Sequence, residues 1–171
     1  MSHISMRRGW RPVALAGVIA LSLAACGGNS SSTAGGSNGG GTLTIGASLP
    51  LTGDFSEPGG AAKQGYEVWA NMVNASGGLL GDQVKLDIKD DASNQNTIVS
   101  DYNALISKDN VDLLLGTFSS LLNLPASSVA EKNRMLYVEP AGGSPDMFSR
   151  GYKMLFFAQQ ATADTQGLTF A

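Results

Sequence analysis

The chain has 171 residues, with 11 basic and 14 acidic side chains and a single histidine, His3. This length allows one domain of ordinary size or part of a larger one. The slight excess of acidic residues argues against nucleic acid as a partner, because phosphate binding requires a basic surface.

Residues 1–25 have the layout of a secretory signal peptide. A basic start precedes an apolar run from Val13 to Ala20, and small residues stand at Ala24 and Ala25. An apolar stretch this short spans a bilayer poorly, so we expect cleavage rather than a permanent membrane helix. Cleavage would remove His3 and leave eight basic against fourteen acidic residues. Without histidine, the usual triads and histidine zinc sites are excluded, so we expect no catalytic residues, no metal and no cofactor.

Cys26 is the only cysteine, and it follows a Leu-Ala-Ala run that resembles the lipobox of bacterial lipoproteins. We therefore expect Cys26 to be lipidated and to anchor the mature chain to the membrane. The alternative is a free thiol that has no disulfide partner within the chain. Residues 26–41 are rich in Gly, Ser, Asn and Thr and predict a flexible tether. The expected location is outside the cytoplasm, lipid-anchored at the outer face of the cytoplasmic membrane or in the periplasm.

From Thr42 onward, predicted strands alternate with predicted helices. Apolar and β-branched runs predict strands at 43–48, 84–89, 111–115, 135–138 and 153–157. Apolar residues spaced three and four apart predict helices at 58–74, 94–107 and 122–133, and a fourth that begins near Asp164. This alternation predicts an α/β fold with a doubly wound parallel sheet. The last helical pattern still runs at Ala171, so we expect residues 42–171 to be an incomplete domain.

The loops after the strands are the candidate binding loops, because ligands of an open α/β sheet bind beyond the carboxyl ends of its strands. Four of these five loops are rich in small polar residues, among them one ending at Ser119-Ser120 and one running from Glu139 to Pro145. Hydroxyls and unpaired amides at helix N termini suit a carboxylate or another anion. The candidate cradle comprises Ser119, Ser120 and the amides of Ala141, Gly142 and Gly143, and Ser144 is a further candidate ligand-binding residue. The same residue types are typical of caps and turns, and spacing alone leaves both interpretations open.

Several other side chains invite both a functional and a structural interpretation. Glu139 lies at the ligand end of a strand, where a carboxylate could bind a cation or an ammonium group. Asp90 and Asp91 could form a carboxylate pair, but adjacent residues leaving a strand point in opposite directions. We therefore expect Asp91 to cap the next helix. Tyr66 and Trp69 lie at helical spacing and are expected in the core rather than against a ligand.

Four segments, in order, resemble the first lobe of the leucine/isoleucine/valine-binding protein family. They are IGASLPLTG at 45–53, NASGGLLG at 74–81, DDASN at 90–94 and the run 111–120. The resemblance extends over about residues 42 to 170. It implies the first lobe of a two-lobed type I periplasmic-binding-protein fold. It also implies a receptor, not an enzyme, that binds an amino acid or a related amide or small carboxylic compound and delivers it to the membrane subunits of an ABC importer.

The resemblance also implies roles for individual residues. Ser120 matches the family's serine whose hydroxyl and amide hold the amino-acid carboxylate. Ala141 matches the residue whose carbonyl receives the ligand ammonium group. Phe55 or Pro58 lies near the usual aromatic wall of the pocket.

Two positions depart from the family pattern and leave the identity of the solute open. Gly143 stands where the branched-chain receptors have a threonine, and Glu139 replaces a small residue. Two rival interpretations remain: a ligand-sensing domain coupled to a receptor, and an amide-processing enzyme. The enzyme would need an acid–base pair such as Glu139 with Asp91.

Overall fold

The structure is a computed structural model that describes residues 40–158. Five strands and four helices lie in this range: β1 (Thr42–Leu49), α1 (Ser56–Ala75), β2 (Gln83–Asp90), α2 (Gln95–Ser107), β3 (Leu113–Leu115), α3 (Ser120–Asn133), β4 (Tyr137–Glu139), α4 (Pro145–Phe148) and β5 (Leu155–Phe157). None of these helices is long and apolar enough to cross a membrane. The expected signal peptide, Cys26, nearly all of the tether and the helix expected from Asp164 lie outside the described residues.

The five strands form one parallel sheet in the order β2-β1-β3-β4-β5. β1 pairs with β2 along its whole length, from Thr42 opposite Gln83 to Leu49 opposite Asp90. After β2 the chain crosses β1 to form β3, so the direction of winding reverses between β1 and β3. This confirms the predicted doubly wound sheet. Such a reversal opens a crevice at the carboxyl ends of the strands, which is where ligands of this architecture bind.

The face of the sheet that carries α2 and α3 is closed by a continuous apolar core. Right-handed crossovers place these two helices together, on the face opposite α1. The predicted inner side of α2 is confirmed, since Ile98, Tyr102 and Leu105 are fully buried. They pack with Leu114 of β3 and Leu122 of α3 in one cluster.

The other face carries α1 and is more open. Ile45, Ala70 and Val84 form a small buried cluster there. Trp69 is 36% exposed, so the expectation of a core tryptophan is wrong. It borders an apolar groove of about 350 Å³ that α1 leaves uncovered over β3 and β4.

The boundaries of the elements differ from the predicted ones where an apolar residue is buried without pairing in the sheet. Val111 was expected at the start of a strand, but its N–H donates to Leu105 O and pairing begins only at Leu113. Val111 is buried because it closes the turn after α2. Its apolar side chain therefore indicates burial and does not indicate strand pairing. The short helix α4 was not predicted, because a four-residue helix is too short to show helical periodicity.

Candidate functional site

The turns that follow β3 and β4 lie side by side at the carboxyl edge of the sheet. Beyond the strands themselves, Phe118 and Ala141 form a further parallel bridge. The N–H of Ser144 donates to the hydroxyl of Ser120 at 3.0 Å. The sheet therefore brings together the two polar turns that the sequence placed on different loops.

The loop after β1 reaches the same edge through Phe55. The Phe55 N–H donates to Ser93 Oγ at 3.0 Å. Its ring lies 5.7 Å from that of Phe118, in the edge-to-face arrangement that aromatic pairs prefer. Phe118 directly precedes Ser119, so the two rings form an aromatic flank beside the serines.

Ser119 gives the turn after β3 an uncapped helix end. It is the N-cap residue of α3, but its side chain makes no capping hydrogen bond. Its φ of 68° lies in the left-handed region that serine rarely adopts. Its hydroxyl oxygen is buried and has no partner within residues 40–158. The first-turn amides of a helix lack acceptors inside the helix, so this end is electrostatically suited to an anion.

The turn after β4 is organised differently from the expected cradle. The Ala141 N–H donates to Glu139 Oε1 at 2.6 Å, so the expectation of an unpaired amide at Ala141 is wrong. Gly142 is buried, and a Cβ added there would lie 2.9 Å from Glu139 Oε1 and 2.9 Å from Met147 Sδ. Gly143 and Ser144 are half-buried beside it. The turn therefore packs directly on the Glu139 carboxyl group.

Glu139 is the last residue of β4 and is fully buried. Its Oε1 also accepts a hydrogen bond from Asn123 Nδ2 at 2.9 Å, whereas Oε2 has no partner within the described range. Burial raises the pKa of Glu139 to about 7, although hydrogen bonds from the Ala141 and Gly142 amides act in the opposite direction. The carboxyl group lies beneath the turn, without exposed surface.

Asn123 joins the two turns and was missed by the sequence analysis. Its Nδ2 donates to the carbonyls of Thr117 and Ser119 as well as to Glu139. Its Oδ1 accepts from the Thr117 N–H at 3.0 Å and from the Tyr137 hydroxyl at 2.5 Å. Asn123 could have been found from the sequence, because it is a lone amide on the apolar stripe of the third predicted helix. Buried amides are nearly always fully hydrogen-bonded, so such a residue is expected to join neighbouring polar groups.

Asp90 holds the loop after β1 from the solvent side. Its Oδ1 accepts hydrogen bonds from the N–H groups of Leu51, Thr52 and Ala92, and its Oδ2 accepts one from the Thr52 hydroxyl. Partial burial alone would raise the pKa of Asp90, but these donors outweigh it and lower the pKa below the ordinary value.

Asp91 points inward, away from Asp90, as the strand geometry predicted. It is fully buried and accepts from the Ser93 N–H at 2.8 Å and from the Thr117 hydroxyl at 3.2 Å. Burial raises the pKa of Asp91 to about 6. The expectation that Asp91 caps α2 is wrong, because Asn94 accepts from the first-turn amides at 2.8 and 3.1 Å. Two residues of positive φ, Ala92 and Ser93, separate Asp91 from the helix start.

The carboxyl groups of Glu139 and Asp91 do not bond to each other and are connected through Asn123 and Thr117. Glu139 contacts Asn123 and the turn after β4, whereas Asp91 contacts Ser93 and Thr117. Within residues 40–158, no three His, Cys, Asp or Glu side chains are grouped to hold a metal ion. The carboxyl edge of the sheet thus combines the uncapped N terminus of α3 with the Phe55–Phe118 ring pair.

Comparison with known sequences gives the class of protein. The profile of the family described as "Periplasmic binding protein" matches residues 42–171. The Leu/Ile/Val-binding protein BraC3 of Rhizobium johnstonii is 34% identical over 109 residues, which are 64% of this chain and 29% of that protein. The chain thus spans about a third of the length of the curated relatives it matches. This chain belongs to the periplasmic binding protein family.

Solved structures agree with this assignment at the level of the fold. The leucine-binding protein LivK of Thermotoga maritima matches with a TM-score of 0.67 and 25% identity, over 75% of this chain and 35% of that one. The isoleucine complex of LivJ from Streptococcus pneumoniae matches with a TM-score of 0.66 and 23% identity, over 70% of this chain and 34% of that one. The predicted type I periplasmic-binding-protein fold is confirmed for the part described. Family membership implies an extracytoplasmic location.

The same relatives bear on the question of catalysis. BraC3, LivK and LivJ are named as binding proteins or as transporter substrate-binding proteins. The expectation of recognition rather than catalysis is confirmed on this ground.

Proposed function

We propose that this chain supplies the first lobe of a solute-binding lipoprotein of an ABC importer, which binds an amino acid or a related amide or small carboxylic compound between two lobes. The observation that carries the proposal is the joining of the turns after β3 and β4 through Ser120 and Ser144. The relatives BraC3, a Leu/Ile/Val-binding protein, and LivJ, solved with isoleucine, support the amino-acid class.

The ligand's carboxylate would lie at the N terminus of α3. There the Ser119 and Ser120 hydroxyls meet the uncapped end of the helix, which favours negative charge. The Ala141 carbonyl would accept the ammonium group. Phe55 and Phe118 would contact the apolar part of the solute.

A second lobe would complete the pocket and close over the solute. Closure is driven only by the contacts that the solute gains in the closed state. The closed form would then be recognised by the importer's membrane subunits. No covalent step is needed, which agrees with the lack of histidine after residue 3.

The lipid anchor is the second part of the proposal. Cys26 would carry the lipid, and residues 27–41 would hold the folded lobe away from the membrane. Radiolabelled palmitate supplied to cells should enter the wild-type protein and should not enter a Cys26→Ser variant. Equal labelling of both proteins would contradict lipidation at Cys26.

The solute site can be tested by titration calorimetry on the full-length protein. The panel comprises L-leucine, L-isoleucine, L-valine, their amides and small carboxylic acids. Loss of a hydrogen bond to a charged group costs about 1.5–3 kcal/mol, so Ser120→Ala should weaken binding roughly tenfold to a hundredfold. Ser100→Ala, on the exposed side of α2, is the matched control and should bind like wild type. Binding that is unchanged in Ser120→Ala, or absent for the whole panel in wild type, would contradict the proposal.

A further inference from the structure

The two oxygens of the Glu139 carboxyl group have opposite surroundings. Oε1 accepts hydrogen bonds from Asn123 Nδ2 at 2.9 Å and from the Ala141 N–H at 2.6 Å. Oε2 is buried without a partner within residues 40–158. A carboxylate has acceptors only, whereas a protonated carboxyl group has one acceptor oxygen and one O–H. The hydrogen bonds on Oε1 are compatible with both forms, and only the neutral form avoids a buried charge.

No cation balances a charge on Glu139 in the described part of the chain. The neutral Asn123 on α3 donates to it, and the ionisable groups close enough to interact with it electrostatically are Tyr137 on its own strand and Tyr66 on α1. Burial raises the pKa of both tyrosines far above neutrality, so they stay protonated near pH 7. Glu139 forms none of the ion pairs found among residues 40–158. An ionised Glu139 would therefore be a buried charge without a counter-ion, which is costly.

The turn above Glu139 has no spare room. A Cβ on Gly142 would lie 2.9 Å from Oε1 and 3.2 Å from Asn123 Nδ2. Water can reach an ionised carboxyl group here only if Gly142 and its neighbours move away. Such a movement would break the Ala141 hydrogen bond and disturb the contact between Ser144 and Ser120.

We propose that Glu139 is a positioning residue of the solute site, and that only its protonated form holds the turn from Ala141 to Ser144 in the geometry that binds solute. This inference rests on the proposed function, because it requires a solute at that turn. When the proton leaves for bulk water, the charged carboxyl group draws water beneath the turn and solute affinity falls. The midpoint of this fall lies near pH 7, in agreement with the raised pKa of Glu139.

The test is titration calorimetry of the full-length protein with the tightest-binding of L-leucine, L-isoleucine and L-valine, from pH 5.5 to 8.5. If the ionised form does not bind, affinity falls in proportion to the protonated fraction, roughly thirtyfold at 1.5 pH units above the midpoint. Glu139→Gln keeps an acceptor for the Ala141 N–H and cannot ionise. It should therefore keep the wild-type affinity of pH 5.5 across the whole range.

Two control variants separate this effect from others. Glu67→Gln removes an exposed carboxyl group on α1 and should show the wild-type profile. Asp91→Asn removes the other buried carboxyl group at this edge and should keep the fall that is centred near pH 7. A Glu139→Gln profile as steep as wild type, or weak binding by a folded Glu139→Gln at every pH, would overturn the proposal. Absence of binding by wild type at pH 5.5 would instead overturn the proposed function.

A second measurement does not depend on the folding of any variant. The carboxyl carbon of Glu139 can be titrated by NMR in wild-type protein labelled with ¹³C-glutamate. Binding and protonation are reciprocally linked, so saturating solute must raise the midpoint of Glu139 if the protonated form binds better. A midpoint that is unchanged by solute would overturn the proposal.

Discussion

Two carboxyl groups fix the two sides of the candidate site, and they do so in opposite environments. Asp90 is exposed and receives four hydrogen bonds from the loop after β1 and the turn after β2. Glu139 is fully buried and supports the turn after β4 from beneath. Both act as acceptors for backbone amides. They differ in solvent exposure, because water can hydrate a charge on Asp90 but not one on the buried Glu139.

This difference explains why their pKa values shift in opposite directions. Burial raises the pKa of Glu139 to about 7 despite its amide donors. At Asp90 the desolvation that would raise the pKa is outweighed by the hydrogen bonds, so its pKa is lowered. One side of the edge therefore keeps its charge at every physiological pH, whereas the other changes state near neutrality.

The largest effect on stability is expected at the buried side, from Asn123→Ala. Removal of the amide leaves the Tyr137 hydroxyl and the Thr117 N–H and carbonyl without this partner, and Glu139 Oε1 keeps only the bond from Ala141. Each such group costs about 1–3 kcal/mol, so the free energy of unfolding should fall by about 4 kcal/mol. Urea unfolding followed by circular dichroism measures this. Asn103→Ala is the control, because the exposed Asn103 side chain donates only to Val99 O. Losses of similar size in both variants would contradict the assigned importance of the buried network.

The next largest effect is the pH dependence of stability that Glu139 imposes. Its pKa is about 7 in the folded protein and 4.5 as the ordinary value, so between these values the folded state holds a proton that the unfolded state has lost. The stabilisation is complete below about pH 4.5 and is lost as the pH rises to about 7, by on the order of 3 kcal/mol. Unfolding of wild type and Glu139→Gln should therefore diverge across this window. Parallel curves would show that Glu139 is not protonated in the fold.

The sequence predicted the strands and loops that form this site better than the side-chain contacts within it. Alternating apolar segments and the position of the loops after the strands were sufficient to bring Ser120 and Ser144 to one edge, because parallel topology leaves few other arrangements. The partners of Asn123 and Glu139 were not predictable. Periodicity shows that a residue is buried but does not show which donor it meets across the sheet. The cap of α2 was assigned to Asp91 instead of Asn94 because backbone turns with positive φ leave no clear pattern outside glycine.

A smaller effect is expected from crowding the buried side with a single methyl group. In Gly116→Ala the new Cβ would lie 2.8 Å from Asn123 Oδ1 and 2.9 Å from Glu139 Cα. Overpacking of this kind costs about 1–3 kcal/mol, because the backbone directly after β3 must move away from the end of β4. The matched substitution Gly60→Ala in α1 meets nothing within 4 Å and should stabilise the helix by about 0.5–1 kcal/mol. Opposite signs in thermal unfolding are the expected result, and a loss in both variants would contradict it.

The smallest effect is expected on the exposed side, from Asp90→Asn. The amide oxygen can still accept from the loop, so only the charge and the fit to the Thr52 hydroxyl are lost, at a cost of about 0.5 kcal/mol for an exposed group. Because the pKa of Asp90 is lowered in the fold, its contribution is present above the unfolded pKa and disappears as the pH falls through the folded value. The difference between wild type and Asp90→Asn should therefore be constant from pH 5 to 8 and vanish in acid, the reverse of Glu139. Asp54→Asn, in the same loop and exposed, should have no effect. Relative to wild type, Glu139→Gln is expected to gain stability as the pH rises. If Asp90→Asn showed the same trend, solvent exposure would not explain the opposite pKa shifts of the two carboxyl groups.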